Sequence, residues 1–173
     1  TFSLYLGRKF SWPPQTAAYW FALFGLISII VQGGLLRALV PRFGEPRLIR
    51  FGLSAMFAGF TVLGLSANSW ELLAGCVLVG TGYSISSPST MGLLSRSVPA
   101  REQGAVFGVY SSAQTMARIL NYLIATQILA RFGPSAPFWE AAGLILVALA
   151  LSVAVLSAQR GIYPGMTVDI SGD

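Results

Sequence analysis

The amino-acid sequence predicts an all-α membrane protein. Hydrophobic residues make up 54% of its 173 residues and charged residues only 10%, whereas soluble domains carry about 25% charged residues. Five apolar stretches are each long enough to cross a bilayer, which takes roughly 20 residues. Most charged residues lie between these stretches, as in loops between membrane spans. The stretches are continuous and longer than the alternating strands of about 10 residues in a β-barrel, so the spans are predicted to be helices.

The order of the apolar stretches divides the chain into spans and connections. The first residue is threonine and no signal peptide opens the chain, so we expect the chain to be truncated at its start. A short apolar segment, residues 1–6, is expected to be the end of an earlier helix. Residues 158–173 are polar and glycine-containing, and we predict a disordered tail there. The five complete spans are predicted at residues 16–40, 49–67, 70–94, 104–129 and 136–157.

Basic residues are distributed unequally between the two sides of the predicted bundle. Seven arginines lie on the side that holds the tail, and three basic residues lie on the other side. An excess of Lys and Arg marks cytoplasmic loops, so the tail is predicted to be cytoplasmic. The seven are Arg37, Arg42, Arg47, Arg50, Arg96, Arg101 and Arg160, and the three are Arg8, Lys9 and Arg131.

The composition also excludes several classes of function. The net charge of +5 is concentrated in short connections without an aromatic groove, which argues against nucleic-acid binding. The chain has one cysteine and no histidine, so we expect no disulfide, no metal site and no cofactor. An intramembrane enzyme would need paired aspartates, a serine with a histidine, or a metal site. The sequence therefore predicts a protein that is not an enzyme.

Polar and small side chains recur along one face of three predicted helices. A polar group that faces lipid is costly, so such faces indicate the protein interior or a water-filled pathway. Helix packing is the alternative interpretation, because small residues also let membrane helices approach closely. The second and fifth helices carry few polar side chains and are expected to face lipid. The candidate pathway residues are Phe21, Ser28 and Gln32 on the first helix, Tyr83, Ser84 and Ser87 on the third, and Thr115, Arg118 and Tyr122 on the fourth.

Two residues within the spans have special physical consequences. Arg118 lies about 14 residues into the fourth helix, or roughly 20 Å at 1.5 Å per residue, which is near mid-membrane. Its charge must be paired there, with a carboxylate outside this chain, an anionic substrate, or backbone carbonyls and tyrosine rings. A structural ion pair is the alternative to a pathway role. Pro88 is expected to bend the third helix, either as a flexible joint or as a static packing kink.

The segment from residue 33 to residue 47 combines glycines with basic residues between two spans. A tight turn needs glycine for close approach and unusual dihedral angles. The arginines could hold helix carbonyls and nearby carboxylates and so stabilise one conformational state. A generic positively charged cytoplasmic loop is the alternative. The candidate motif residues are Gly34, Arg37, Arg42, Gly44 and Arg47.

This segment resembles the C-terminal copy of the cytoplasmic loop motif of the major facilitator superfamily. Residues 75–118, with Pro88 and the short loop Val98-Pro99-Ala100-Arg101-Glu102-Gln103-Gly104, resemble helix ten, its loop and helix eleven of twelve-helix drug exporters. The resemblance covers about residues 1–157 and points to the tetracycline-efflux type of multidrug exporter. It implies a partial C-terminal six-helix half, with the end of helix seven and complete helices eight to twelve.

The resemblance also implies a function. We expect secondary active transport of a small organic solute by alternating access, in the direction of export, as in a drug/proton antiporter. The expected partners are that solute, the lipid bilayer of a bacterial inner membrane, and the missing N-terminal six-helix half. A same-fold uptake transporter and a non-transporting membrane sensor or assembly protein are the alternatives.

Overall fold

A computed structural model describes the backbone of residues 14–133 and 135–162, and the side chains of residues 18–154 except 21, 35 and 134. Throughout these residues the regular secondary structure is helical, which confirms the predicted all-α class. The predicted helix end at residues 1–6 and residues 163–173 of the predicted tail lie outside this part of the chain. The α-helices are α1 (Pro14–Ile30), α2 (Leu36–Phe43), α3 (Glu45–Leu65), α4 (Ser69–Arg96), α5 (Gln103–Phe132) and α6 (Ala136–Ile162).

A π-helical segment, Val31–Leu35, joins α1 to α2. The backbone N–H of Leu36 donates to the carbonyl oxygen of Val31, which is the five-residue spacing of a π turn. The proline ring of Pro41 also lies within α2 and removes one backbone donor there. Across the π-helical segment the helix axis bends by 52°. Helices α1 and α2 therefore form one bent element.

The connection between the first two predicted spans is shorter than the sequence suggests. The helix continues to Phe43, and Gly44 alone separates it from α3. Gly44 adopts φ +73°, a conformation that favours glycine. By contrast, a Cβ atom added at Gly34 would meet nothing within 4 Å among the described residues, so none of them makes a close approach there.

Helices α3 and α4 pack against each other through glycines. A Cβ atom at Gly52 would lie 2.6 Å from the carbonyl oxygen of Gly82, and one at Gly82 would lie 2.5 Å from the carbonyl oxygen of Gly52. Further along, a Cβ atom at Gly59 would lie 3.0 Å from the carbonyl oxygen of Gly75. Such small-residue contacts let membrane helices pack backbone to backbone. Helices α3 and α4 are therefore a closely packed pair.

Helix α6 also packs against α3. Buried Leu63, Leu72 and Phe138 form a cluster that joins α3, α4 and α6. The indole of Trp139 covers Gly64, where an added Cβ atom would lie 2.9 Å from the ring. The helix continues to Ile162. Residues 158–162, which the sequence places in a disordered tail, are therefore helical.

Two helices of the described chain are long and apolar enough to cross a membrane: α3 and residues Ala136–Ala154 of α6. The bent α1–α2 element makes a third if it counts as one span. Helices α4 and α5 have 28 and 30 residues and are long enough to span a membrane. Their polar side chains make them less apolar than the spans named above. The count of five complete spans remains a prediction.

The two ends of α4 provide a test of the predicted orientation. Ser69 begins α4 and Ser97 follows its last residue; both are exposed, and the helix is roughly 40 Å long. With the tail in the cytoplasm, a membrane-impermeant thiol reagent added outside cells should label Ser69→Cys and spare Ser97→Cys. The partly buried Cys76 is first replaced by alanine to remove background. Labelling of Ser97→Cys alone would reverse the orientation.

Candidate functional site

An open cleft of about 540 Å³ lies between the π-helical segment, α4 and α5. Among the described residues, its lining includes none from α3 or α6 and none that is acidic. It brings together three residues that the sequence singles out: Gln32, Ser87 and Pro88. The lining residues with most bearing on function are Gln32, Ser87, Pro88, Phe107, Tyr110 and Gln114.

Two predicted pathway residues join helices to each other. The hydroxyl of Ser84, which is fully buried, donates to the hydroxyl oxygen of Ser28 at 2.9 Å. The Ser28 hydroxyl in turn donates to the carbonyl oxygen of Phe24, also at 2.9 Å. This chain of hydrogen bonds holds α1 against α4, which is the helix-packing role that the sequence leaves open for serines.

Tyr83, another predicted residue of α4, lies near the same contact. The rings of Tyr83 and Phe24 are 6.2 Å apart at an angle of 42°, and Tyr83 is 38% exposed. Phe21 lies in α1, and its side chain is outside the described set. Tyr83 does not line the cleft.

Helix α5 carries a row of polar side chains at four-residue spacing. The Gln114 side chain donates from Nε2 to the hydroxyl oxygen of Tyr110 at 3.0 Å. Arg118 donates from Nη2 to Oε1 of Gln114 at 3.3 Å. Tyr110 and Gln114 line the cleft, and sequence reasoning missed both. Their positions four and eight residues before Arg118 could have identified them, since residues four apart are neighbours on a helix.

Two other predicted residues of α5 lie outside the cleft lining. The Thr115 hydroxyl donates to the backbone carbonyl of Ser111 at 2.8 Å. Tyr122 is 65% exposed and lies one turn beyond Arg118. They share the exposed side of α5 with Arg118.

A second polar site ties the start of α3 to the end of α4. Glu45 is only 7% exposed, and its Oε1 lies 3.6 Å from Nη2 of Arg96. A Cβ atom at Gly92 would collide with the Glu45 carboxylate, so the glycine makes room for it. Glu45 is the first residue of α3, where the helix dipole favours an anion. The carboxylate thus interacts with both helix ends.

The basic residues of the candidate loop motif have a different environment. Arg37, Arg42 and Arg47 are exposed, and none forms an ion pair with a described residue. Acidic Glu45, between Gly44 and the last of these arginines, is the buried group of the segment.

The pair formed by Glu45 and Arg96 should contribute modestly to stability. We expect Glu45→Gln and Arg96→Ala each to lower the free energy of unfolding by about 1 kcal/mol, because the Arg96 side chain is 65% exposed. The double variant should lose less than the sum, by about 0.5 kcal/mol. Denaturant unfolding of the purified protein measures these values. Arg101→Ala, an exposed arginine with no described ion pair, is the control; additive losses would contradict the pairing.

Comparison with known proteins gives consistent matches. The sequence profile of the Major Facilitator Superfamily matches residues 1–162. The class C tetracycline resistance protein of Escherichia coli is 26% identical over 159 residues, which are 92% of this chain and 39% of that protein. The triacylglyceride transporter of Mycolicibacterium smegmatis is 26% identical over 148 residues, 85% of this chain and 26% of the relative. Multidrug resistance protein MdtH of Yersinia enterocolitica is 25% identical over 138 residues, which are 79% of this chain and 34% of that protein.

The coverage of these relatives is unequal. The chain is matched over most of its length, yet it spans only 26 to 39% of the three relatives. No solved structure matches it significantly.

Proposed function

Because this chain belongs to the Major Facilitator Superfamily, we propose that it is the C-terminal half of a secondary active transporter that exports a small organic solute. The two halves of such a transporter rock against each other around a central site, which opens alternately to the two sides of the membrane. On this proposal the protein is an integral protein of a bacterial inner membrane with its C-terminus in the cytoplasm. It has no catalytic role.

The cleft is the observation that carries the proposal. It has about 540 Å³ of space and polar lining residues from three elements within a largely apolar bundle. Ligand sites have volumes of about 300 to 1,000 Å³ and combine apolar walls with a few polar groups. Polar groups such as Gln32, Ser87 and Gln114 are unfavourable against lipid. A water-accessible solute pathway accounts for them.

The exposure of α5 supports a second half. Only Ala125 and Leu129 are buried along its 30 residues in the described structure. The exposed remainder includes both apolar side chains and the charged Arg118. A guanidinium group near mid-membrane is costly in lipid, so this side of α5 requires protein or water against it. A six-helix partner half across the cleft supplies both.

The names of the relatives support export more than uptake. Two of the three are a tetracycline resistance protein and a multidrug resistance protein. Resistance by a membrane transporter requires that the compound leave the cell. The triacylglyceride transporter fits transport in either direction.

Transport by the complete protein in membrane vesicles tests this function. The probes are tetracycline and a set of anionic, neutral and cationic aromatic solutes. Energy-dependent accumulation in everted vesicles, abolished by an uncoupler, is the expected result. Accumulation in right-side-out vesicles instead would indicate uptake. Saturable binding without accumulation in either preparation would indicate a sensor and overturn the proposal.

A further inference from the structure

The hydrogen bonds that link Arg118, Gln114 and Tyr110 all run the same way, with Arg118 as the first donor and Tyr110 as the last acceptor. A guanidinium group can only donate hydrogen bonds, whereas a glutamine amide has one accepting oxygen and one donating nitrogen. Arg118 donates to Oε1 of Gln114, so it fixes which end of the amide faces it. The donating Nε2 must then face the other way, towards Tyr110.

The Tyr110 hydroxyl is the last group in this series of hydrogen bonds. Because the hydroxyl oxygen accepts from Gln114, its proton remains available to donate. No described residue accepts that proton. The second hydrogen of Gln114 Nε2 is also available. Both residues line the cleft, which therefore receives hydrogen-bond donors from α5.

The other lining residues do not oppose this preference for a solute that accepts hydrogen bonds. Among the described residues, none of the nine that line the cleft is acidic. The Glu45 carboxylate lies beside the lining residue Gly92, but it is paired with Arg96. The positive charge of Arg118 lies one helical turn beyond Gln114. A negative group near the donors would be stabilised by charge-assisted hydrogen bonds, which are about twice as strong as neutral ones.

From this geometry we infer that the cleft binds the anionic oxygen of an organic solute, such as a carboxylate or enolate, and that Gln114 determines this specificity. Because Gln114 accepts from Arg118 and donates to Tyr110, the Tyr110 hydroxyl keeps its own proton free to donate to the solute. The inference rests on the proposed transport function and adds a solute class to it. It also explains how Arg118 acts on the cleft although it is not itself a lining residue.

A single near-isosteric substitution reverses the direction of the row. In Gln114→Glu both side-chain oxygens accept, so Tyr110 donates to the carboxylate and no longer presents its proton to the cleft. The substitution also adds a negative charge. Tyr110→Phe removes the terminal donor without adding charge.

The experiment compares two matched probes on the complete transporter in nanodiscs at neutral pH. The probes are 1-naphthoate and 1-naphthylmethylammonium, which share the aromatic ring and differ in charge. We expect the wild type to bind naphthoate at least about ten-fold more tightly than the ammonium. Gln114→Glu should weaken naphthoate about ten-fold or more without weakening the ammonium, and Tyr110→Phe should weaken naphthoate alone, by a smaller factor.

Gln127→Glu is the matched control. Gln127 is an exposed glutamine of the same helix that does not line the cleft, so its substitution should leave the ratio of the two affinities unchanged. Size-exclusion elution and thermal unfolding verify that each variant is folded.

Several results would overturn the inference. These are equal or tighter binding of the ammonium by the wild type, no binding of either probe, or an unchanged affinity ratio in folded Gln114→Glu. Transport measured on the same preparation separates the two proposals. Transport with a cation preference refutes this inference alone, whereas the predicted affinity ratio without any solute accumulation refutes the transport function alone.

Discussion

Arg118→Ala is expected to abolish transport by the complete protein while leaving its abundance in the membrane unchanged. Arg118 is exposed, and its hydrogen bond to Gln114 is its one contact of this kind among the described residues. We therefore expect the folding of this half not to depend on it. Loss of a charged group that acts on a bound anion corresponds to about 3 kcal/mol, or about a hundred-fold loss. Vesicle transport and immunoblotting measure the two quantities together.

Arg118→Lys tests how the side chain acts. Lysine keeps the charge but lacks the planar fork that donates to two acceptors, so we expect poor rescue. Arg131→Ala, an exposed arginine in the last turn of the same helix, is the control and should transport normally. A proportional loss of protein and activity in Arg118→Ala would indicate a structural ion pair instead. Normal turnover would eliminate both roles.

Gly82→Val is expected to remove folded protein rather than transport alone. An added Cβ atom would lie 2.5 Å from the carbonyl oxygen of Gly52 and 2.8 Å from the backbone nitrogen of Met56. Backbone atoms in the middle of two helices cannot move aside individually, so α3 and α4 must separate. Overpacking of this kind costs about 1 to 3 kcal/mol or more. Fluorescence-detected size exclusion and the midpoint of thermal unfolding measure the loss.

A matched substitution on α6 separates crowding from helix propensity. Gly143 is exposed, and an added Cβ atom would meet nothing within 4 Å among the described residues. Gly143→Val introduces the same β-branched side chain into a helix and should leave the unfolding midpoint nearly unchanged. Equal losses in both variants would show that the tight α3–α4 contact is not what Gly82 provides.

The helical class of the fold could be predicted because the sequence pattern carries it directly. Long apolar stretches and clustered charge require only the physics of the bilayer. The same pattern placed Gln32, Ser87 and Pro88 on helices that the structure brings to one cleft. It could not assign Ser28 and Ser84, whose mutual hydrogen bond depends on how α1 and α4 pack.

The missed residues also have physical explanations. Small residues at three- and four-residue spacings define a face of α5, and Tyr110 and Gln114 do not belong to that set. Their spacing from Arg118 places them on its side of the helix, but their donor and acceptor roles emerge only from the direction of the hydrogen bonds. Glu45 looks like a loop residue in the sequence. Its burial depends on the space left by Gly92 on another helix, which no local pattern reveals.

The π-helical segment shifts the helical phase of the first element. Successive residues of an α-helix are about 100° apart, so residues five apart would differ by roughly 140°. Yet Val31 is buried in a cluster with Leu48 and Ile85, and Leu36 packs against the same cluster. The wide turn realigns these two side chains. Deleting one residue from this turn would rotate the apolar side of α2 away from its support while shortening the chain by only one amino acid.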